Sequence, residues 1–480
     1  MKHLLCLVLL FCAGSLSAAP KAQKATLYST TASERMVKSE IVLSPSGNAP
    51  ALVVFTDSLE QQMTGFGGTF NELGWDALQS LTDHDRDAVM AALFSPQGLN
   101  LVMGRTPIGA NDFSMGYYSY NDVKEDYTMR NFCIDRDRYT LIPYIQSALK
   151  YRPDLIMWAS PWTPPLWMKV NEHYSEKAGG INKTRVGYNE LDPKHNMTGH
   201  VSKYGHPTGF KMMDGYLEAY AIYFSKYVQE YAKCGINIQK VAPQNEVCWT
   251  PCWTSCTWRP EDLYVFVHHY LGPQFEKDSL QTEIWYSTIN YPFPEYLRTI
   301  LECNEAHKYV KGIGVQWTGL QALPTIHSEY PDYDYMMTEN MCGDHENDWT
   351  SLEQTWQAIV HCLSNGVTSY NYFNMVLNET GKSWWDWPQN SMVIVDRATH
   401  TYSFTDEYWL FRHLSPFVQP GAVRLKVSDG SNTLAFRTPE GKIIVVIYNP
   451  ADATTKISLN VEGKALDLNL KAKSINTLLL

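Results

Sequence analysis

The sequence predicts an α/β fold, a (β/α)8 TIM barrel with an attached antiparallel β-sandwich side domain. Three observations predict it. The chain has 480 residues, too many for one ordinary domain of roughly 100–200 but right for a barrel of about 250 or more plus a smaller module. Between Gly65 and Phe373 short apolar runs alternate with stretches of helical period, the pattern of parallel strands joined by helices. Beyond Pro420 the helical period disappears, leaving short alternating runs broken by turn signals such as Pro439-Glu440-Gly441, the mark of antiparallel β-structure.

The first barrel strand is expected just before or at Gly65. The next seven are Leu99–Gly104, Leu155–Ser160, Val241–Glu246, Ile284–Asn290, Gly312–Trp317, Tyr335–Glu339 and Thr368–Phe373, with Tyr216–Cys234 and Leu352–Leu363 among the intervening helices. Eight strands close a barrel. The tail strands are Leu434–Arg437, Ile443–Tyr448, Lys456–Val461, Ala465–Leu470 and Ile475–Leu480, and residues 37–57 hold strand-like runs that would complete the same sandwich. The expected division is a signal segment 1–19, N-terminal strands 20–60, a barrel 61–415 and a C-terminal sandwich 416–480. Asn171–Asp214 is a long polar insertion holding His173, His195, His200 and His206, expected to be a solvated loop, with a four-histidine metal site as the alternative.

Lys2 and His3 precede the apolar run Leu4–Cys12, and Ser17-Ala18-Ala19 offers small residues for cleavage, so the protein is expected to be exported to a periplasm, cell surface or extracellular space. No later stretch reaches about 18 uninterrupted apolar residues, so no stable membrane insertion is expected. The chain carries 39 Lys and Arg against 50 Asp and Glu, a balance that argues against a nucleic-acid partner. With 44% apolar and 19% charged residues it is far from the disordered class. The run Cys248-x3-Cys252-x3-Cys256 lacks the two-residue knuckle of zinc sites. A disulfide or thiols in a loop is the reading kept, and neither a metal nor a cofactor is expected. A monomer is expected.

Two strand ends carry candidate chemistry. The fourth ends in Asn245-Glu246 and the seventh in Glu339 after an apolar run. A carboxylate there costs free energy unless it is paired or used. Strands four and seven face each other across a barrel mouth, so the two side chains would converge on one bond, the arrangement of retaining glycoside hydrolysis. The 15 Trp, 30 Tyr and 17 Phe exceed what a core needs. Trp162, Trp167, Trp249, Trp317, Trp384, Trp385 and Trp387 fall on the same predicted face, where indoles would pack on the C–H faces of sugar rings.

The ordered set Gly65-Phe66-Gly67-Gly68-Thr69, Arg105-Thr106-Pro107-Ile108, Asp112-Phe113-Ser114, Ser160-Pro161-Trp162-Thr163-Pro164-Pro165-Leu166-Trp167-Met168-Lys169, Asn245-Glu246 and Thr338-Glu339-Asn340 resembles glycoside hydrolase family 30, which includes lysosomal glucosylceramidase and β-1,6-glucanases. The resemblance implies a retaining β-glycosidase acting on a carbohydrate. It implies Glu246 as acid/base and Glu339 as nucleophile, with Asn245 on the sugar 2-hydroxyl and Arg105 orienting Glu339. It also implies Asp122 and Trp162 gripping the terminal sugar, with Trp317 and Trp384 as further walls. Gln244-Asn245-Glu246-Val247 and Gln316-Trp317-Thr318 depart from the Glu-Asn-Glu-Pro and His-Trp-Tyr of ceramide-acting members. A β-1,6-glucan is the favoured substrate. Glucosylceramide, a short β-glucoside, and a β-xyloside or β-fucoside remain alternatives, as does a non-catalytic glycan-binding protein.

Overall fold

A computed structural model describes residues 24–45, 52–179, 193–197, 207–303 and 305–480. The expected signal segment, His200 and His206 lie outside the described residues, as does the side chain of His195.

Four N-terminal strands, β1 (Lys24–Thr30), β2 (Val37–Val42), β3 (Ser44–Pro45) and β4 (Leu52–Gln62), lead into the barrel. Its eight strands are β5 (Gly65–Thr69), β6 (Met103–Pro107), β7 (Ile156–Ser160), β8 (Ile238–Val241), β9 (Glu283–Ile289), β10 (Val310–Gln316), β11 (Asp334–Glu339) and β12 (Val367–Asn374). They close in sequence order, all parallel, with β12 returning to β5. Glycine lets β5 close the ring: a Cβ at Gly67 would lie 2.6 Å from the carbonyl oxygen of Met103 on the next strand. Large side chains fill the interior, where Met103, Trp158, Trp285 and Met336 pack in one buried cluster.

Two strand ends differ from expectation. The second strand starts at Met103 because Leu99 and Leu101 donate their N–H groups back to Ala92 and Leu93 of the helix Asp83–Phe94 (2.7 and 3.1 Å). Asn100 between them turns at φ +53°. The fourth strand ends at Val241, not at Glu246. Pro243 has no N–H to offer a ladder, and the chain reaches Glu246 through an extended segment tied by Ala242 N–H to Ala159 O and Asn245 N–H to Pro161 O (2.9 and 2.7 Å).

After the barrel, β13 (Val376–Asn378), β14 (Val393–Asp396) and β15 (Thr401–Phe404) form a small sheet. The tail adds β16 (Val423–Val427), β17 (Thr433–Arg437), β18 (Ile443–Asn449), β19 (Thr455–Val461), β20 (Lys464–Leu470) and β21 (Ser474–Leu479). These six join β1–β4 in one ten-stranded sheet, antiparallel except where β4 lies parallel to β19. Its separate core includes Leu27, Val54, Leu425, Val445, Leu466 and Leu478. The alternation of strands such as Lys464–Leu470, buried at every second position near its end, is what a one-sided core demands.

His413 joins the two cores. Its ring bonds Thr477 of β21 and Thr30 of β1 (2.9 and 2.8 Å), fully buried. Burial, aided by Arg412, holds its pKa down to about 3. The fold therefore excludes a proton that the unfolded chain accepts below about pH 6.5. Stability linked to this group is complete above that pH and falls by about 1.4 kcal/mol per pH unit as pH drops toward 3. In urea unfolding, a His413→Gln variant is expected to lose less stability than the parent between pH 7 and pH 5. An equal loss in both proteins would contradict the assignment.

Candidate active site

Arg105, near the end of β6, organises the barrel mouth. Its side chain is fully buried, so each N–H needs an acceptor. One arm bonds Glu339 Oε2 at 2.6 Å; the other bonds Asn245 Oδ1 at 2.6 Å and Ser160 Oγ at 2.9 Å. The cation also lies 4.3 Å from the ring centre of Trp162 and 4.7 Å from that of Trp158. One guanidinium, itself on β6, thus ties together groups from β7, from the segment after β8 and from the end of β11.

Glu339 ends β11 and is 4% exposed. Burial raises its pKa, while Arg105 and the indole N–H of Trp317, 3.0 Å from Oε1, pull it back. The carboxylate with two donors is the one that carries charge. Glu246 sits at φ +50° and Trp317 at +48°, a left-handed backbone that costs non-glycine residues about 1–3 kcal/mol. Thr288 holds the first of these turns, accepting the Glu246 N–H and donating to Asn245 Oδ1, both at 3.0 Å. Burial and the charges of Glu339 and Asp112 push the Glu246 pKa well up. Of the two, Glu339 with its two donors is the better placed to carry charge, and Glu246 the better placed to hold a proton.

Asn245 Oδ1 accepts from Arg105, Thr288 and Gln316. Three donors on one atom identify it as the oxygen and leave the NH2 as the group able to donate to a ligand. Lysine in place of Arg105 would bring one compact charge to a place that needs a planar fork. Arg105→Lys is expected to raise the Glu339 pKa and move the acidic limb of kcat/KM to higher pH, because Glu339 must be ionised to attack. A fall in kcat of about 10- to 100-fold follows from lost alignment. An unshifted acidic limb in the pH–rate profile would contradict this.

A cavity of about 460 Å³ opens above these groups. Asp112, Glu246, Asn290, Glu339 and Gln389 supply its polar surface, and Trp162, Trp317, Trp249, Trp253, Trp387, Tyr291 and Phe293 its aromatic one. Of the residues expected from the sequence, the structure brings Glu246, Glu339, Arg105, Asn245, Trp162 and Trp317 together. Asp122 lies elsewhere: it is exposed, and its carboxylate accepts from Ser119 at 2.7 Å. The acid in the cavity is Asp112, 5% exposed, with Oδ1 lacking a hydrogen-bond partner among the described residues. Burial and the charge of Glu339 raise its pKa. Trp384 also does not line the cavity and instead lies over Gly116, while Trp387 takes the wall position, 5.7 Å from Trp253. Trp167 and Trp385 are core residues.

Two loops raise the outer wall. Lys169, fully buried, reaches the carbonyls of Tyr174 and Ser255. Glu176, also buried, accepts from Thr257 N–H at 2.9–3.0 Å. These bonds pin the start of the insertion to the 248–258 loop, which carries Trp249 and Trp253. Among the described residues no disulfide forms, and Cys256 of the Cys248, Cys252 and Cys256 run is a buried thiol.

Asn290, Tyr291, Phe293 and Gln389 were not anticipated. A polar or aromatic residue just after a barrel strand is the signal that points to the first three; Asp112 belongs to the Asp112-Phe113-Ser114 motif, ten residues before Asp122.

A parallel barrel whose mouth sets two glutamates from facing strand ends beneath an indole-walled cavity defines a glycoside hydrolase. The chain belongs to glycosyl hydrolase family 30: the family's TIM-barrel domain matches residues 63–190 and 191–418, and its beta sandwich domain residues 421–478. It is 26% identical to the lysosomal acid glucosylceramidase of Mus musculus over 86% of this chain and 80% of that one. It is also 26% identical to an endo-1,6-beta-D-glucanase of Aspergillus fumigatus, over 86% of this chain and 82% of that one. The solved endo-beta1,6-glucanase BT3312 superposes with a TM-score of 0.79 at 23% identity, covering 95% of this chain and 99% of that one.

Proposed function

We propose that the protein is an exported, retaining β-glucoside hydrolase that cuts β-1,6-linked glucan. The opposed states of Glu339 and Glu246 carry the reaction: an anion fixed by Arg105 and Trp317, beside a carboxyl that burial and two acidic neighbours keep protonated. Glu339 attacks the anomeric carbon and forms a glycosyl ester as Glu246 gives its proton to the departing oxygen. Glu246, now ionised, takes a proton from water; the water attacks the same carbon, and the ester breaks to restore Glu339. The Asn245 NH2, beside the nucleophile, suits the sugar 2-hydroxyl.

The rim supports a glucan. Trp249 and Phe293 are 51% and 48% exposed, so aromatic surface continues outward past the carboxylates, where a second sugar ring would stack. The fungal endo-1,6-glucanase relative supports the linkage, and the apolar run at the N-terminus supports export. The same exposed aromatic rim favours glucosylceramide as a second reading, since an acyl chain would also cover it. Incubation with pustulan, laminarin, xylan and detergent-dispersed glucosylceramide separates them. Release of β-1,6-linked oligosaccharides from pustulan alone is expected. Failure to cut pustulan by enzyme that cleaves an aryl β-glucoside would overturn the linkage.

A further inference from the structure

We propose that Gln389 is a specificity-determining residue, aimed as a hydrogen-bond donor at one hydroxyl of the bound sugar by a chain of three amides that starts at a helix N-terminus. Asn71 caps the helix Glu72–Gln79, its side chain accepting from Gly74 N–H at 2.6 Å. A backbone N–H only donates, so the atom facing it is Asn71 Oδ1 and the Asn71 NH2 points away. That NH2 donates to Asn374 Oδ1 at 3.0 Å, and the Asn374 NH2 donates to Gln389 Oε1 at 2.6 Å. All three side chains are at most 1% exposed. Turning any one of them over would set two donors or two acceptors against each other away from water, a costly arrangement. The direction is therefore fixed from the helix outward, and the free end of the chain is the Gln389 NH2.

Gln389 lines the same cavity as Glu246 and Glu339. Asp112 lines it too, with Oδ1 buried and without a hydrogen-bond partner among the described residues. A donor and a waiting acceptor on the wall of one cavity suit a hydroxyl, which accepts from the first and donates to the second. Bonds in series polarise one another, so the amide chain strengthens the donor it presents. The sequence hides this device, because residues 71, 374 and 389 are far apart and none is ionisable. The inference rests on a pyranoside binding against the two glutamates and is independent of the linkage cleaved.

The test compares kcat/KM for 4-nitrophenyl β-D-glucopyranoside and its 3-, 4- and 6-deoxy analogues in the parent, Gln389→Met and Asn71→Asp. Aspartate caps a helix as well as asparagine does. When ionised, however, it offers Asn374 only acceptors, so both downstream amides turn over and Gln389 shows the cavity an oxygen. One deoxy analogue is expected to be roughly 10- to 100-fold poorer than the glucoside for the parent. Gln389→Met is expected to lose a similar factor on the full glucoside and to be indifferent to loss of that one hydroxyl. Asn71→Asp is expected to lose part of that factor and to be less sensitive to that hydroxyl than the parent, because the hydroxyl can then donate to Gln389 or to Asp112 but accepts from neither. Both variants are expected to stay folded by circular dichroism, with a Tm below the parent's because each disturbs a buried amide contact. A variant loss equal on every analogue, or no loss in Gln389→Met, would overturn the proposal by showing that the amides only brace the helix. Glu339→Gln is run beside them: activity surviving in that variant would overturn the catalytic reading, while the deoxy series still reads the contact to Gln389.

Discussion

Glu339→Gln is expected to lower kcat by about 10⁴-fold or more, in keeping with the loss found when a covalent nucleophile is removed. The amide keeps the side chain's size and its bond from Trp317, and the fold has no reason to change shape. What disappears is the electron pair that attacks the anomeric carbon, together with the anion that Arg105 is placed to hold. Arg105 is then left buried with its main charge partner gone, which costs about 3–5 kcal/mol of stability. Circular dichroism should report a folded protein with a lower Tm, and single-turnover kinetics no glycosyl-enzyme. Retention of more than a hundredth of the parent kcat would contradict Glu339 as nucleophile.

Glu246→Ala is expected to behave differently with each leaving group. For a sugar leaving group, which departs only when protonated, kcat falls by about 10²–10⁴-fold. For an aryl group of low pKa, formation of the glycosyl ester needs no acid, and the slow step becomes hydrolysis without a base. Azide, an anion that needs no deprotonation, attacks the anomeric carbon of that ester, releases Glu339 and gives a glycosyl azide of retained configuration. Several hundred millimolar azide should therefore restore turnover of the aryl glycoside. The parent should lose activity as pH rises through the Glu246 pKa, because only the protonated form gives up a proton; burial and its acidic neighbours place that limb well above the usual carboxylate range. The variant should lack the limb. Azide without effect on the aryl glycoside, or an alkaline limb that survives, would contradict the role.

The legible part of the molecule is the part written in local pattern. Alternating apolar runs place the eight strands, and Glu339 is found because an acid after Tyr335-Met336-Met337-Thr338 stands out. Glu246 is found for a related reason, although its strand stops at Val241 and the residue rides on an extended segment. The missed features depend on contacts between distant residues. Nothing near Asp122 in the sequence says that its carboxylate faces Ser119 rather than the cavity, and nothing near Asp112 says the reverse. Trp384 and Trp387 are neighbours on one loop, and only the packing against Trp253 decides which forms a wall. The small sheet of β13–β15 escapes notice because its three strands have three or four residues each, shorter than a readable period. The second function of Trp317 is likewise invisible: its indole serves as a wall and as a donor to Glu339 at once.

Double displacement at Glu339 and Glu246 is tested most directly by the configuration of the sugar as it leaves the enzyme. Proton NMR during the first minutes of hydrolysis of an aryl β-glucoside, before mutarotation mixes the anomers, reads it. Two inversions at one carbon predict the β-anomer first, with the α-anomer growing in later. The α-anomer as first product would mean a single displacement by water, and Glu339 would not be a nucleophile.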